Sequence, residues 1–231
     1  GFFLKKYKNY MKINSKITNF LYKRKKSLKL GMRTSMAYES DPARLVFTLS
    51  RYKFVAKMFD SFDSVLEVGA GDGFKSPIVK QFCKKLTISD IEIKNKMDFD
   101  QIKFSKIKFI IHNFVKNKLN RKFDGIYALD VLEHIAKREE KKFIKNICKS
   151  LKKNGTLIIG MPTLESQVYA SKLSKKGHIN CKTKSALKKF LSSYFNNIYM
   201  FSMNDEVVHT GYDAMSHYIF AVACNKKLNL K

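Results

Sequence analysis

The sequence predicts an α/β fold: a doubly wound sheet of about seven strands, mostly parallel, ending in an antiparallel C-terminal hairpin. Three observations carry this expectation. Short apolar runs alternate with helical stretches between residues 64 and 160, an order that builds a parallel sheet covered on both faces. The first run opens into "VLEVGAGDGF" (65–74), a glycine-rich turn at the place where such sheets bind ligands. Two strand-like runs at 197–203 and 216–224 have no helix between them, so they should pair antiparallel.

The elements follow in order. Before Glu39 stand eleven Lys or Arg and no acid. Phe3, Tyr7, Tyr10, Ile17 and Leu21 recur there at roughly helical spacing, which predicts a basic amphipathic extension over residues 1–38. Through residues 1–30 it would lie on an anionic membrane surface, or it would fold over the domain as a cap. Residues 39–231 then form the domain. Asp41 as N-cap and Pro42 at the first helical position start a helix within 40–59. Its apolar stripe is Leu45, Leu49, Tyr52, Val55, Ala56 and Phe59. Strands are expected at 64–68, 85–89, 107–111, 124–129 and 156–160, and helices at 76–84, 138–151 and 184–194.

Composition limits the function classes. The 231 residues suffice for one sizeable domain plus an extension, and 45% apolar residues supply its core. No apolar run approaches a membrane span, and lysines interrupt the first thirty residues too often for a secretory leader. Cys83, Cys148, Cys181 and Cys224 are scattered without CxxC spacing. That argues against a disulfide framework or a cysteine zinc site and suits a reducing, cytoplasmic setting, including the inner face of the membrane. The formal net charge of +27 would attract polyanions such as nucleic acid. However, 40 Lys against six Arg is also what drift in an AT-rich coding sequence produces, and phosphate-gripping surfaces favour Arg.

The glycine loop is the strongest signal. Gly69, Gly71 and Gly73 can take positive φ and bring the backbone close to a ligand. Ser76 and Pro77 are expected to cap and open the next helix, leaving its first amides free. The spacing is G-x-G-x-G rather than the G-x-G-x-x-G of dinucleotide sites. Glu67, two residues upstream, would suit a ligand bearing positive charge. Asp90, at the end of the second strand, can accept both hydroxyls of a ribose.

These residues resemble those of class I S-adenosylmethionine-dependent methyltransferases, over about residues 40–225. The resemblance implies a Rossmann-like fold and S-adenosyl-L-methionine as cofactor. Glu67, Gly69, Ala70, Gly71 and Gly73 would cradle its methionine part, and Asp90 and Ile91 would hold the ribose side. Asn113 would reach the adenine amine, standing where the family often has Asp and accepting a hydrogen bond through its amide oxygen. Phe114, Asp130 and Val131 would be further cofactor-binding residues. "FDGIYALDVLEHI" (123–135) and "LKKNGTLIIGMP" (151–162) are similar to segments of the ubiquinone-biosynthesis-like branch. Residues 41–74 and 161–217 are similar to methyltransferases of bacterial surface-polysaccharide gene clusters.

Methyl transfer from a sulfonium needs positioning above all. A base for a hydroxyl acceptor would add a further factor. The candidates are Glu133 and His134 after strand four, His178 in the long "MPTLESQVYASKLSKKGHINCKT" connection (161–183), and His209 in the last turn. Glu133 and His134 would equally cap or stiffen the next helix. Glu165 and Tyr169 are further candidates to line an acceptor pocket, and Asn204, Asp205 and Glu206 would suit a hydroxyl-rich acceptor. The D-x-x-E-H spacing is compatible with a metal, with His178 or His209 as a remote partner, but none is expected. The predicted activity is methyl transfer to a small-molecule or glycan-linked acceptor, at oxygen. A nucleic-acid acceptor, and a non-catalytic module docked to an anionic membrane, are the alternatives.

Overall fold

A computed structural model describes residues 12, 14–20, 22–23, 29–102, 104 and 106–228. The amphipathic extension expected over 1–30 lies mostly outside the described residues. Within it, residues 14–20 and 22–23 are helical and exposed.

The elements are α1 (Met32–Ser40), α2 (Pro42–Met58), β1 (Ser64–Val68), α3 (Ser76–Lys80), β2 (Lys85–Asp90), α4 (Ile93–Ile102) and β3 (Ile107–Ile111). They continue with β4 (Phe123–Leu129), α5 (Lys137–Ser150), β5 (Leu151–Pro162), α6 (Lys172–Gly177) and α7 (Lys184–Leu191). The chain ends in β6 (Phe195–Asn204), β7 (Val207–His209) and β8 (Tyr218–Lys226). All strands among the described residues form one sheet in the order β3-β2-β1-β4-β5-β8-β6-β7. Strands β1 to β5 pair in parallel, and β8 enters antiparallel between β5 and β6. The sheet therefore has eight strands where about seven were expected; the extra one is the short edge strand β7, paired with β6.

The period of two along each strand sorts its side chains onto two cores. Ile126 and Ala128 of β4 face one layer, built with Phe143, Ile144 and Ile147 of α5. Tyr127 and Leu129 face the other, built with Tyr52, Val55, Ala56 and Phe59 of α2. Tyr52, Val55, Ala56 and Phe59 of the expected stripe thus pack, while Leu45 and Leu49 are half-buried outside both cores; Asp41 caps the helix by accepting from the Arg44 N–H. A break in register between Phe123 and Gly125, where β4 meets β5, lets β5 begin at Leu151 instead of residue 156.

The helix expected over 76–84 ends at Lys80 and its N-cap is Lys75, not Ser76. The Ser76 hydroxyl is drawn down to Glu67 instead. The crossover after β1 is therefore short, and the glycine loop is held by hydrogen bonds from the sheet.

Candidate active site

The chain leaves β1 into three glycines in the left-handed region: Gly69 at φ 77°, Gly71 at 60° and Gly73 at 71°. Only glycine enters that region routinely. The three are not equivalent. A Cβ on Gly69 would lie 2.3 Å from Val131 Cγ2, and one on Gly73 would lie 2.6 Å from Phe99 Cδ2. At Gly71 the nearest atom would be Arg33 Cδ, at 3.7 Å, an ordinary contact. Gly69 and Gly73 are therefore pressed into the protein, while a side chain at Gly71 would meet only Arg33, in ordinary contact. The Gly69 and Ala70 N–H groups both donate to the Ser89 carbonyl of β2, at 2.8 and 3.0 Å. Ala70 is buried, so it offers a ligand only backbone.

Glu67 was expected to meet the ligand's positive charge. Its place in β1 decides otherwise: it shares a face with Val65 and points under α2 and α3. It is 1% exposed. Tyr52 and Ser76 hydroxyls donate to it at 2.5 Å each, and Tyr127 at 2.7 Å. Burial pushes its pKa up, and the three hydroxyls pull the other way. Glu67 ties α2, α3 and β4 together beneath the loop and does not reach a ligand directly.

Asp90 sits where the sequence places it, at the tip of β2. One oxygen accepts the Gly71 N–H and the other the Glu92 N–H, both at 2.9 Å. A carboxylate has about four lone-pair sites, so about two stay open to a diol. Ile91 beside it is largely exposed. Asn113 departs from expectation. Its amide oxygen accepts from the Val115 and Lys116 N–H groups, leaving Nδ2, a donor, for any ligand. The Phe114 side chain is buried in the α5 core, so it offers a ligand only its backbone.

Asp130, at φ 57°, turns the chain after β4. Arg51 of α2 donates to both its oxygens at 3.1 and 3.0 Å, and the same guanidinium lies 3.8 Å above the Tyr218 ring. The turn Leu132–His134 then buries Glu133 completely and leaves His134 exposed. Glu133, His134 and His178 come together, each offering a ligand atom within 4.8 Å of the others. Burial, and next the charge of Asp130, push the Glu133 pKa well above the usual carboxylate range. Burial and the neighbouring His134 lower that of His178. His209 does not join them. It donates from Nε2 to Asn204 and accepts the Gly211 N–H at Nδ1, so both nitrogens brace its own turn. Its place as a catalytic candidate is withdrawn on that ground. Glu165 and Tyr169 stand exposed on the turn after β5.

Four contributors escaped the sequence reading. Asp72 is buried and accepts from the Thr34 N–H at 2.9 Å and the Thr34 hydroxyl at 3.0 Å, so α1 is fastened over the loop. Arg33, Arg44 and Lys75 line a cavity of about 60 Å³ beside it, with Thr34 and Thr48. A larger cavity of about 470 Å³, with Lys84, Lys85, Lys106, Lys108 and Arg121, opens at the start of β2 and β3, the opposite end of the strands.

Comparison with known proteins settles the family. A family model described as "Methyltransferase domain" matches residues 38–198, well over half of the chain. The chain belongs to that family. No curated protein matches this methyltransferase in sequence. Among solved structures, DhpI in complex with S-adenosylhomocysteine superposes with TM-score 0.61 at 12% identity, covering 86% of this chain and 89% of that one. The N-methyltransferase NodS of Bradyrhizobium japonicum, also with S-adenosylhomocysteine, gives 0.55 at 17% identity, covering 81% and 87%. The plantazolicin methyltransferase BpumL with the same ligand gives 0.62 at 11% identity, covering 83% and 88%. At such identities the likeness establishes the fold.

Proposed function

We propose that this methyltransferase moves the methyl group of S-adenosylmethionine to an oxygen of a small polar or glycan-linked acceptor. One observation carries the cofactor: Gly71 is the loop glycine where a side chain would find room, with only Arg33 in ordinary contact, and its N–H donates to an Asp90 carboxylate with unused acceptor sites. Arg33, Arg44 and Lys75 offer counter-charge to the carboxylate end of the cofactor. The structures that resemble this chain carry the demethylated cofactor, which supports the same reading.

The acceptor side is the cluster after β4. Val131 abuts Gly69, so the cluster borders the loop. There a carboxylate and two imidazoles can receive a hydroxyl proton while the carbon–sulfur bond breaks and the carbon–oxygen bond forms. Large exposed side chains rim this end: Tyr169, Leu173, Tyr212 and Met215. Such a surface marks an interaction site, and its rings offer flat faces to the C–H side of a sugar. A nucleic-acid acceptor finds less support, because the larger basic cavity lies at the far end of the strands.

Calorimetry with S-adenosylhomocysteine tests the cofactor. Wild type should bind, and Asp90→Ala should weaken binding by about 1.5–3 kcal/mol, the range for a charged acceptor. No binding by wild type, or equal binding by both, refutes the reading. A gain of one CH2 in the mass of a glycan or polar metabolite incubated with enzyme and cofactor would identify the acceptor.

A further inference from the structure

Glu133 is fully buried, and neither of its carboxylate oxygens has a hydrogen-bond partner among the described residues. A charge so buried is very costly unless a cation meets it, and the alternative is to hold a proton. Two imidazoles stand beside it with their hydrogens already assigned. His134 Nδ1 lies 2.8 Å from the Gly177 carbonyl oxygen, which can only accept, so Nδ1 bears the proton. His178 Nδ1 lies 2.8 Å from Gln167 Oε1 and donates in the same way. Both rings thus keep an unshared pair at Nε2. An imidazole anchored through one N–H to a carbonyl, with the other nitrogen bare, is the usual condition of a metal-ligating histidine. The two rings are 5.2 Å apart between centroids, inclined at 61°.

We propose that Glu133, His134 and His178 bind one divalent transition-metal cation of the zinc class, leaving at least one coordination position open. Two imidazoles with one carboxylate suit zinc, cobalt or manganese better than magnesium or calcium, which prefer oxygen. Ligands at about 2.0–2.2 Å from a tetrahedral ion stand about 3.4 Å apart. Spacings of up to 4.8 Å would therefore contract on binding. The contraction is accessible: His134 is exposed, and His178 follows the short helix α6 on the connection after β5. Asp130 stays with Arg51 and is not needed as a ligand.

The role of this cation rests on the proposed methyl transfer to oxygen. An acceptor hydroxyl in the open position would be bound and its pKa lowered by the ion, its proton passing to water as the carbon–sulfur bond breaks and the carbon–oxygen bond forms, with His134 holding the ion instead of taking the proton. The binding itself does not rest on that reading.

The test uses the full chain without an affinity tag, stripped with a chelator and titrated with Co²⁺ alone and then Zn²⁺. Visible d–d absorption should grow to one equivalent of cobalt and vanish on zinc addition. Glu133→Gln and His178→Ala should each weaken binding at least tenfold. Gln167→Ala removes only the anchor of His178 and should weaken it about 10–100-fold. Thermal unfolding of each metal-free variant reports whether it is folded, and His134→Ala replaces any that is not. Absence of a saturable cobalt band, or affinity unchanged in both Glu133→Gln and His178→Ala, overturns the proposal. S-adenosylhomocysteine binding to the metal-free wild type, measured in parallel, separates the readings. Cofactor binding with no metal uptake sinks the cation alone, and metal uptake without cofactor binding upholds the cation while sinking the cofactor reading.

Discussion

Placing a methyl group at each loop glycine in turn separates packing from ligand binding. All three glycines sit at positive φ, so any alanine there bears about 1–2 kcal/mol of backbone strain. At Gly71 that is the whole of the folding effect, because the new Cβ meets nothing closer than Arg33 Cδ at 3.7 Å. For a chain of this length it corresponds to a fall of about 2–8 °C in Tm. At Gly69 the Cβ would stand 2.3 Å from Val131 Cγ2, and overpacking of that kind adds about 1–3 kcal/mol. Gly69→Ala should therefore lose about 2–5 kcal/mol in total, and Val131→Ala in the same chain should recover the packing share. Ligand affinity should run the other way. Gly71→Ala puts its methyl on the open side of the loop and should bind S-adenosylhomocysteine at least tenfold more weakly while staying folded. Thermal unfolding and calorimetry on the three single variants and the double variant measure both quantities. A Gly71→Ala protein that binds like wild type would show that the open side of the loop is not where the cofactor lies. A Gly69→Ala protein as stable as Gly71→Ala would show that Val131 does not press on the loop.

Two further outcomes follow from the acids beneath the loop. Thr34→Val removes a hydroxyl donor to the buried Asp72 carboxylate and should lower stability by about 1.5–3 kcal/mol, with earlier proteolytic cleavage near α1; unchanged cleavage would mean that α1 is not held there. Glu67 has a raised folded pKa, so its contribution is full below its unfolded pKa and is lost as pH rises through the folded one. Glu67→Gln lacks that loss and should gain on wild type in Tm as pH rises from about 4.5; a constant gap would contradict the raised pKa.

Much of the sheet and the tip of β2 was legible in the sequence because both rest on local pattern. Strand period, turn glycines and the spacing to Asp90 are short-range signals, and the structure uses them as they stand. Glu67 was misread although the signal was present. In an alternating strand it had to face the same way as Val65, and the hydroxyls that receive it come from Tyr52 on the stripe of α2 and Tyr127 in β4. Which remote histidine meets His134 was not legible, since the sequence offered both His178 and His209. It depends on how the connection after β5 folds back, which no periodicity encodes. The grip of Asp72 on Thr34 was hidden for a different reason: the N-terminal segment announces itself by charge, while its contact with the loop is made by a neutral hydroxyl and a backbone amide. His209 looked available because a histidine in a turn is ambiguous until its neighbours are known, and Asn204 and Gly211 occupy both its nitrogens.

The net charge of +27 would repel a cationic cofactor, and the acids are unevenly distributed against that charge. Only charges within about 8 Å matter at physiological salt, so the surface lysines are largely screened from the loop. Of the 19 acids, Glu67, Asp72, Asp90, Asp130 and Glu133 gather at the carboxyl ends of β1, β2 and β4, buried or half-buried. Three of them are held by hydroxyl or backbone donors, and Asp130 has a single guanidinium. None of these donors except Arg51 carries a positive charge, so this end of a strongly basic protein gathers carboxyl groups held mainly by neutral donors. Neither Glu133 carboxylate oxygen has a hydrogen-bond partner among the described residues, so the proposed cation and the cofactor would occupy adjoining positions of one site.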